Sequence, residues 1–157
     1  MQIPFQITAL PMESFSSLFH QSDDELRARG ARRMVADKTP GFPCRVSLLD
    51  AEPGEEVLLL PFAHHDVDSP YRSSGPIFVR ARAQTARLEV NEVPAMIRSR
   101  LLSIRGYDAK GMMLVSDIVE GKELEEHLWR FFANRQVEYV HLHNARPGCY
   151  NCRVERA

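Results

Sequence analysis

The residues best suited to chemistry cluster near the C-terminus, in Val140-His141-Leu142-His143-Asn144-Ala145-Arg146-Pro147-Gly148-Cys149-Tyr150-Asn151-Cys152. On an extended strand, residues two apart face the same side about 6.6 Å from each other, so His141 and His143 present two imidazoles together. Such a pair can supply two ligands of a divalent metal ion or one wall of a polar pocket. A Pro147-Gly148 turn that pairs Arg146 with Cys149, or Ala145 with Tyr150, sets Cys152 opposite His143 and Val154 opposite His141. His141, His143, Tyr150 and Cys152 then share one face. Cys149 and Cys152 do not chelate together in a regular strand, because an offset of three sends their thiols to opposite faces; only a bulge or a longer turn brings them round. The plainer account of the same stretch is a strand whose Tyr139, Tyr150, Cys152 and Val154 are core, with two satisfied histidines among them.

A second set lies in the thirteen-residue segment Ala63–Gly75, which carries His64, His65, Asp66, Asp68, Tyr71 and Arg72 between two apolar runs. Long polar loops held by strands are where binding residues concentrate, although a surface loop has this composition in any case. Two sites from different classes follow. The first is a small-molecule site, for an anionic ligand, between loop 63–75 and the C-terminal hairpin. Arg45, Arg72 and Arg146 are its charge-assisted donors, and Tyr71, His141 and His143 its hydrogen-bonding walls. The second is a metal-dependent enzyme of hydrolase or oxygenase type. Here His141 and His143 hold a divalent metal with His64, Asp66 or Cys152, and a metal-bound water is the nucleophile. A protein–protein adaptor with no small-molecule site is the third reading.

Other chemistries lack their motifs. There is no serine nucleophile elbow, phosphate-binding glycine loop or dinucleotide fingerprint. Glu125-Glu126-His127 is not a zinc-protease helix, because Phe131 stands where the second histidine belongs. Cys44 beside Arg45 reads as a buried structural cysteine, since on a strand the two side chains point apart. Arg27, Arg29, Arg32 and Arg33 form a basic cluster, but acidic neighbours adjoin it and no aromatic is interleaved to stack bases. It reads as a solvated helix end.

The elements that must position these residues are mostly strands. Candidates are Ile3–Leu10, Cys44–Leu49, Glu56–Phe62, Pro76–Ala81, Thr85–Val90, Leu101–Tyr107, Gly111–Val119, Val137–Ala145 and Cys149–Arg156. Cys44–Leu49 and Glu56–Phe62 flank Glu52-Pro53-Gly54 as a hairpin. Ser22 with Glu25 three residues on makes a capping box for a short helix over Asp23–Arg29. Phe15, Leu18 and Phe19 suit one apolar helical turn. Pro94 opens a short helix ending near Arg100. The main helix runs over 122–134, where Leu124, Leu128, Phe131 and Phe132 form one apolar stripe. Many strands around one amphipathic helix define an α+β fold: an antiparallel or mixed sheet, open or partly closed into a barrel.

The stretches Pro43-Cys44-Arg45, Gly54-Glu55, Pro70-Tyr71, Gly75-Pro76-Ile77-Phe78-Val79 and Val140-His141 through Arg146-Pro147-Gly148-Cys149 resemble a bacterial family catalogued as domain of unknown function 1203. The likeness runs from about Phe5 to Ala157, with the closing motif its most specific part. It implies a bacterial single-domain protein and transfers no catalytic residue, substrate or cofactor.

Composition sets the remaining bounds. At 157 residues, 44% hydrophobic and 26% charged, residues 1–157 read as a single domain with a sizeable core. A formal net charge of −1 gives no overall attraction to nucleic acid or anionic membrane. The longest apolar run, Val57–Ala63, is far shorter than a membrane helix and contains Pro61. The N-terminal residues have no signal-peptide core, and three cysteines are too few for a disulfide framework, so a reducing, cytoplasmic setting is expected. All basic residues except Lys38, Lys110 and Lys122 are arginine, which a codon bias explains.

Overall fold

The computed structural model describes residues 1–157. Two antiparallel sheets, neither closed on itself, make an α+β fold. The larger sheet has the strand order β1 (Phe5–Thr8), β8 (Tyr150–Arg156), β7 (Tyr139–Asn144), β5 (Leu101–Tyr107) and β6 (Met113–Glu120). The smaller has β2 (Arg32–Val35), β3 (Glu56–His65) and β4 (Ser73–Arg80), with β3 central.

The helices form where their local signals lie. Helix α1 (Asp23–Ala28) starts at the capping box: the Glu25 N–H donates to Ser22 Oγ at 3.1 Å and the Ser22 N–H to Glu25 Oε1 at 3.2 Å. Helix α2 (Ala95–Arg98) follows Pro94. Helix α3 (Leu124–Ala133) buries the expected stripe of Leu124, Leu128, Phe131 and Phe132, after a 3-10 turn over Gly121–Glu123. That junction needs Gly121, because a Cβ there would lie 2.1 Å from the Ile97 carbonyl oxygen. A second 3-10 turn, Ser16–His20, carries the predicted apolar turn around Phe15.

Alternation on the large sheet builds the main core. Leu102, Ile104, Val140, Leu142, Cys152 and Val154 face α3, as the period of two requires. The small sheet packs Leu58, Leu60, Ile77 and Val79 against Phe15 and Leu26 in a second core.

Two expected strands are replaced by irregular chain. In Cys44–Leu49, the alternating Cys44, Val46 and Leu48 are all buried, which imitates a strand. Yet the Leu48 N–H donates to the Cys44 carbonyl at 3.0 Å and Leu48 has φ +52, so the chain coils. Cys44 and Val46 enter the small-sheet core and Leu48 the main one; bridging two cores, not lining one sheet, makes the pattern. The expected hairpin with Glu56–Phe62 is therefore absent, and β3 pairs with β2 and β4. Thr85–Val90 is the other correction. Its backbone meets scattered partners, with Ala86 N–H on the Val46 carbonyl and the Leu88 carbonyl on Gln6 Nε2, and no neighbouring strand is aligned to form a ladder. No helix is long and apolar enough to cross a membrane.

Candidate functional site

The face of the large sheet opposite α3 is built from the alternate residues of the same strands. Ser103, Arg105 and Tyr107 on β5 stand across from His143, His141 and Tyr139 on β7. On the other side of β7, Arg153 opposes His141 and Tyr150 opposes His143. The hairpin register differs from expectation. The Asn144 N–H bonds to the Cys149 carbonyl at 2.9 Å and the Gly148 N–H to the Asn144 carbonyl at 2.8 Å, so Cys149 faces Asn144, two residues earlier on the first strand than the anticipated Arg146. A bulge then leaves Asn151 out of the register. Cys152 consequently opposes Leu142 and Val154 opposes Val140. His141, His143 and Tyr150 do share a face, whereas Cys152 lies in the main core on the other side.

The end of β3 lies over this face. The β3–β4 register shifts between Phe62 and His65, and both His64 and His65 reach the cluster, although adjacent strand residues normally point apart. The His64 ring is 5.1 Å from that of His143 and 6.3 Å from that of His141, and stacks on Tyr150 at 5.2 Å. The His65 ring is 4.1 Å from Tyr107 and 5.1 Å from His141. Arg153 closes the layer over Tyr139, its guanidinium carbon 4.0 Å from the ring centre.

Hydrogen bonds fix two tautomers, because a carbonyl can only accept. His143 Nδ1–H donates to the Gly148 carbonyl at 3.0 Å, which leaves Nε2 with its lone pair. His65 Nδ1–H donates to the Tyr71 carbonyl at 2.8 Å, so its Nε2 accepts the Tyr139 hydroxyl at 2.7 Å. Three other ring nitrogens are buried without a partner: His64 Nδ1, His141 Nδ1 and His143 Nε2. Burial is the leading cause that depresses these imidazoles, His64 and His143 to about 4 and His141 to about 2. They are neutral at pH 7. Burial also pushes the Tyr150 hydroxyl and the Cys152 thiol up.

Two clefts flank the hairpin turn. The smaller, about 190 Å³, is lined by His64, Ser73, Ser74, Arg105, His143 and Tyr150 together with backbone-rich turn residues, and contains no carboxylate. The larger, about 520 Å³, is lined by Arg45, Arg100 and Arg146 among others. Cys149 lines both.

The expected site residues separate into three groups. His64, His141 and His143 come together. Arg45 and Arg146 border the larger cleft, but Arg45 is 1% exposed and bonds to the carbonyls of Pro43 and Tyr150 and to Cys149 Sγ. Burial pulls its guanidinium below the ordinary value, with Cys149 acting the other way. Arg72 and Asp66 pair with each other at 2.9 Å on the surface, and Tyr71 contributes its backbone carbonyl to His65. Neither Arg72, Asp66 nor Tyr71 lines either cleft. No three His, Cys, Asp or Glu side chains are grouped to hold a metal ion.

Sequence reasoning missed Arg105, Ser73, Ser74 and Cys149 as cleft residues. Arg105 had a signal, since alternation on Leu101–Tyr107 puts it opposite Leu102 and Ile104; its pairing with His141 is a long-range fact.

Fold and site together define a two-sheet α+β domain whose sheets meet across a layer of histidine and tyrosine rings. The chain belongs to the family described as "Protein of unknown function (DUF1203)", whose model matches residues 41–156. No curated protein and no solved structure matches the chain. The matched region begins after β2, so β1 and β2, the edge strands at one side of each sheet, lie outside it together with α1.

Proposed function

We propose that this protein binds a small anionic molecule bearing a hydroxyl group, in the cleft between the start of β4 and the C-terminal hairpin turn. The observation that carries the reading is the donor set of the smaller cleft. Arg105 has no carboxylate partner; its Nε donates to Ser103 Oγ at 3.3 Å, and no acid competes for it within the cleft. A guanidinium in this setting favours an anion. His143 Nε2 asks for the opposite polarity, a donor, because its lone pair is buried without one. A ligand with both an anionic oxygen and an O–H meets both demands; hydrogen phosphate and small hydroxy acids are of this kind.

Titration calorimetry with inorganic phosphate and with glycolate tests the reading. Saturable binding of one probe is expected, weakened about tenfold or more by Arg105→Ala, since a charge-assisted hydrogen bond is worth about 1.5–3 kcal/mol. If neither probe saturates, or if Arg105→Ala binds as well as the parent, the reading fails.

The metal reading has one observation in its favour, the three unpartnered ring nitrogens. Against it stands the absence of a three-donor grouping. Zinc titration of chelator-treated protein decides: stoichiometric binding lost in His141→Ala/His143→Ala supports a metal site, and no binding removes it.

A further inference from the structure

Cys149 is half-buried, whereas Cys44 and Cys152 are sealed in the cores. Its Sγ accepts from Arg45 Nη2 at 3.0 Å and from Asn144 Nδ2 at 3.6 Å. Arg45 is buried with no carboxylate beside it. Its Nε donates to the Tyr150 carbonyl at 2.7 Å and its Nη1 to the Pro43 carbonyl. An uncompensated buried charge is costly, and Cys149 is the one hydrogen-bonded neighbour of this guanidinium that can become an anion. A second observation points to a ligand at the same place. His143, 1% exposed, lines the smaller cleft together with Cys149, and its Nε2 has no partner.

We propose that Cys149 is a nucleophilic thiol that reacts with small hydroperoxides entering this cleft. The thiolate is the reacting form of any cysteine, and here the guanidinium and the Asn144 amide face it as donors. The sulfur attacks one peroxide oxygen of R–O–O–H, the S–O bond forms and the O–O bond breaks. The departing R–O⁻ takes up the proton that the thiol released and leaves as alcohol, or as water from hydrogen peroxide. Sulfur loses two electrons in becoming a sulfenic acid, and the peroxide gains them. The reaction does not depend on the anion-binding reading, because it requires only access to Cys149.

The test is hydrogen peroxide treatment of the folded protein with dimedone present, followed by peptide mass mapping over time. The expected result is an adduct on Cys149 alone, forming about tenfold faster than on the same residue in urea-unfolded chain. Arg45→Met should remove that advantage and Arg45→Lys keep part of it. If Arg45→Met does not fold, the native-against-urea ratio decides by itself. Native Cys149 reacting no faster than unfolded Cys149, or Cys44 or Cys152 labelled first, overturns the proposal. Equal rates in parent and folded Arg45→Met overturn it too.

Discussion

The two faces of the large sheet use the same strands for opposite ends. Toward α3, β5, β7 and β8 present Leu102, Ile104, Val140, Leu142 and Val154 to Phe131 and Phe132, and the packing is apolar throughout. Toward β3, the alternate residues are arginine, histidine and tyrosine, with three buried ring nitrogens unpartnered. Burying an unsatisfied polar group costs about 1–3 kcal/mol, so the second face is less stable than an apolar filling of the same volume. The difference teaches that one face is organised for folding and the other for something that folding alone would not select.

The sharpest way to break this comparison is to substitute on both faces. Phe132→Ala, in the α3 core, should destabilise by about 3–5 kcal/mol. His141→Phe removes a buried ring nitrogen that has no partner and keeps an aromatic ring. It should leave stability within about 1 kcal/mol of the parent, or raise it. Urea melts of both variants check this. If His141→Phe costs as much as Phe132→Ala, the histidine layer is structural and the contrast collapses.

Acid distinguishes the faces next. His64, His141 and His143 have folded-state values of about 4, 2 and 4, below the 6.5 of an unfolded histidine. Between these limits the unfolded chain binds more protons, so stability falls as pH falls. The contribution is complete above pH 6.5 and is lost progressively toward about pH 4 for His64 and His143 and about pH 2 for His141. Each histidine contributes a slope of up to about 1.4 kcal/mol per pH unit. Melting temperatures from pH 7.5 downward should drop in the parent and drop less steeply in His141→Phe. A flat profile over that window would mean that the histidines are already solvated.

The apolar face was readable and the polar one only in part, for a physical reason. The α3 stripe and the Ser22–Glu25 capping box are local patterns, set by neighbours in sequence, and both form where expected. The pairing of His141 with His143 on one face is likewise local. The hairpin register is not, because it depends on where the turn closes and where the strand bulges: after closure at Asn144–Cys149, the bulge at Asn151 turned Cys152 into the main core. His65 joined through an irregularity in β3 that no spacing announces. Arg105 needed knowledge that β5 sits between β6 and β7, a contact that spans more than thirty residues. The strand-like alternation of Cys44, Val46 and Leu48 misled because a chain crossing between two cores also buries every second residue.

A smaller effect tests whether the polar layer is uniform. His65 differs from its neighbours in having both ring nitrogens engaged, one by the Tyr71 carbonyl and one by the Tyr139 hydroxyl. Tyr139→Phe should therefore cost about 1–2 kcal/mol, as it strands a buried acceptor, and should leave phosphate or glycolate binding unchanged. Urea melts and calorimetry on the same variant separate the two. A loss of binding without loss of stability would place His65 and Tyr139 in the ligand site and enlarge it beyond the cleft.

The smallest expected effect concerns the loop that was expected to supply ligand donors. Arg72 and Asp66 pair at 2.9 Å with both side chains more than half exposed, and such a pair is worth about 0–1 kcal/mol. Arg72→Ala should barely move the urea midpoint and should leave anion affinity intact, because Arg72 lines neither cleft. Yet the Tyr71 carbonyl beside it is tied to His65, so the loop is anchored next to the histidine layer. Should calorimetry find weaker phosphate binding in Arg72→Ala with stability unchanged, Arg72 must leave Asp66 and turn toward the cleft when ligand arrives. The proposed binding face would then extend onto a segment that this fold holds apart from it, while the α3 face would remain a core alone.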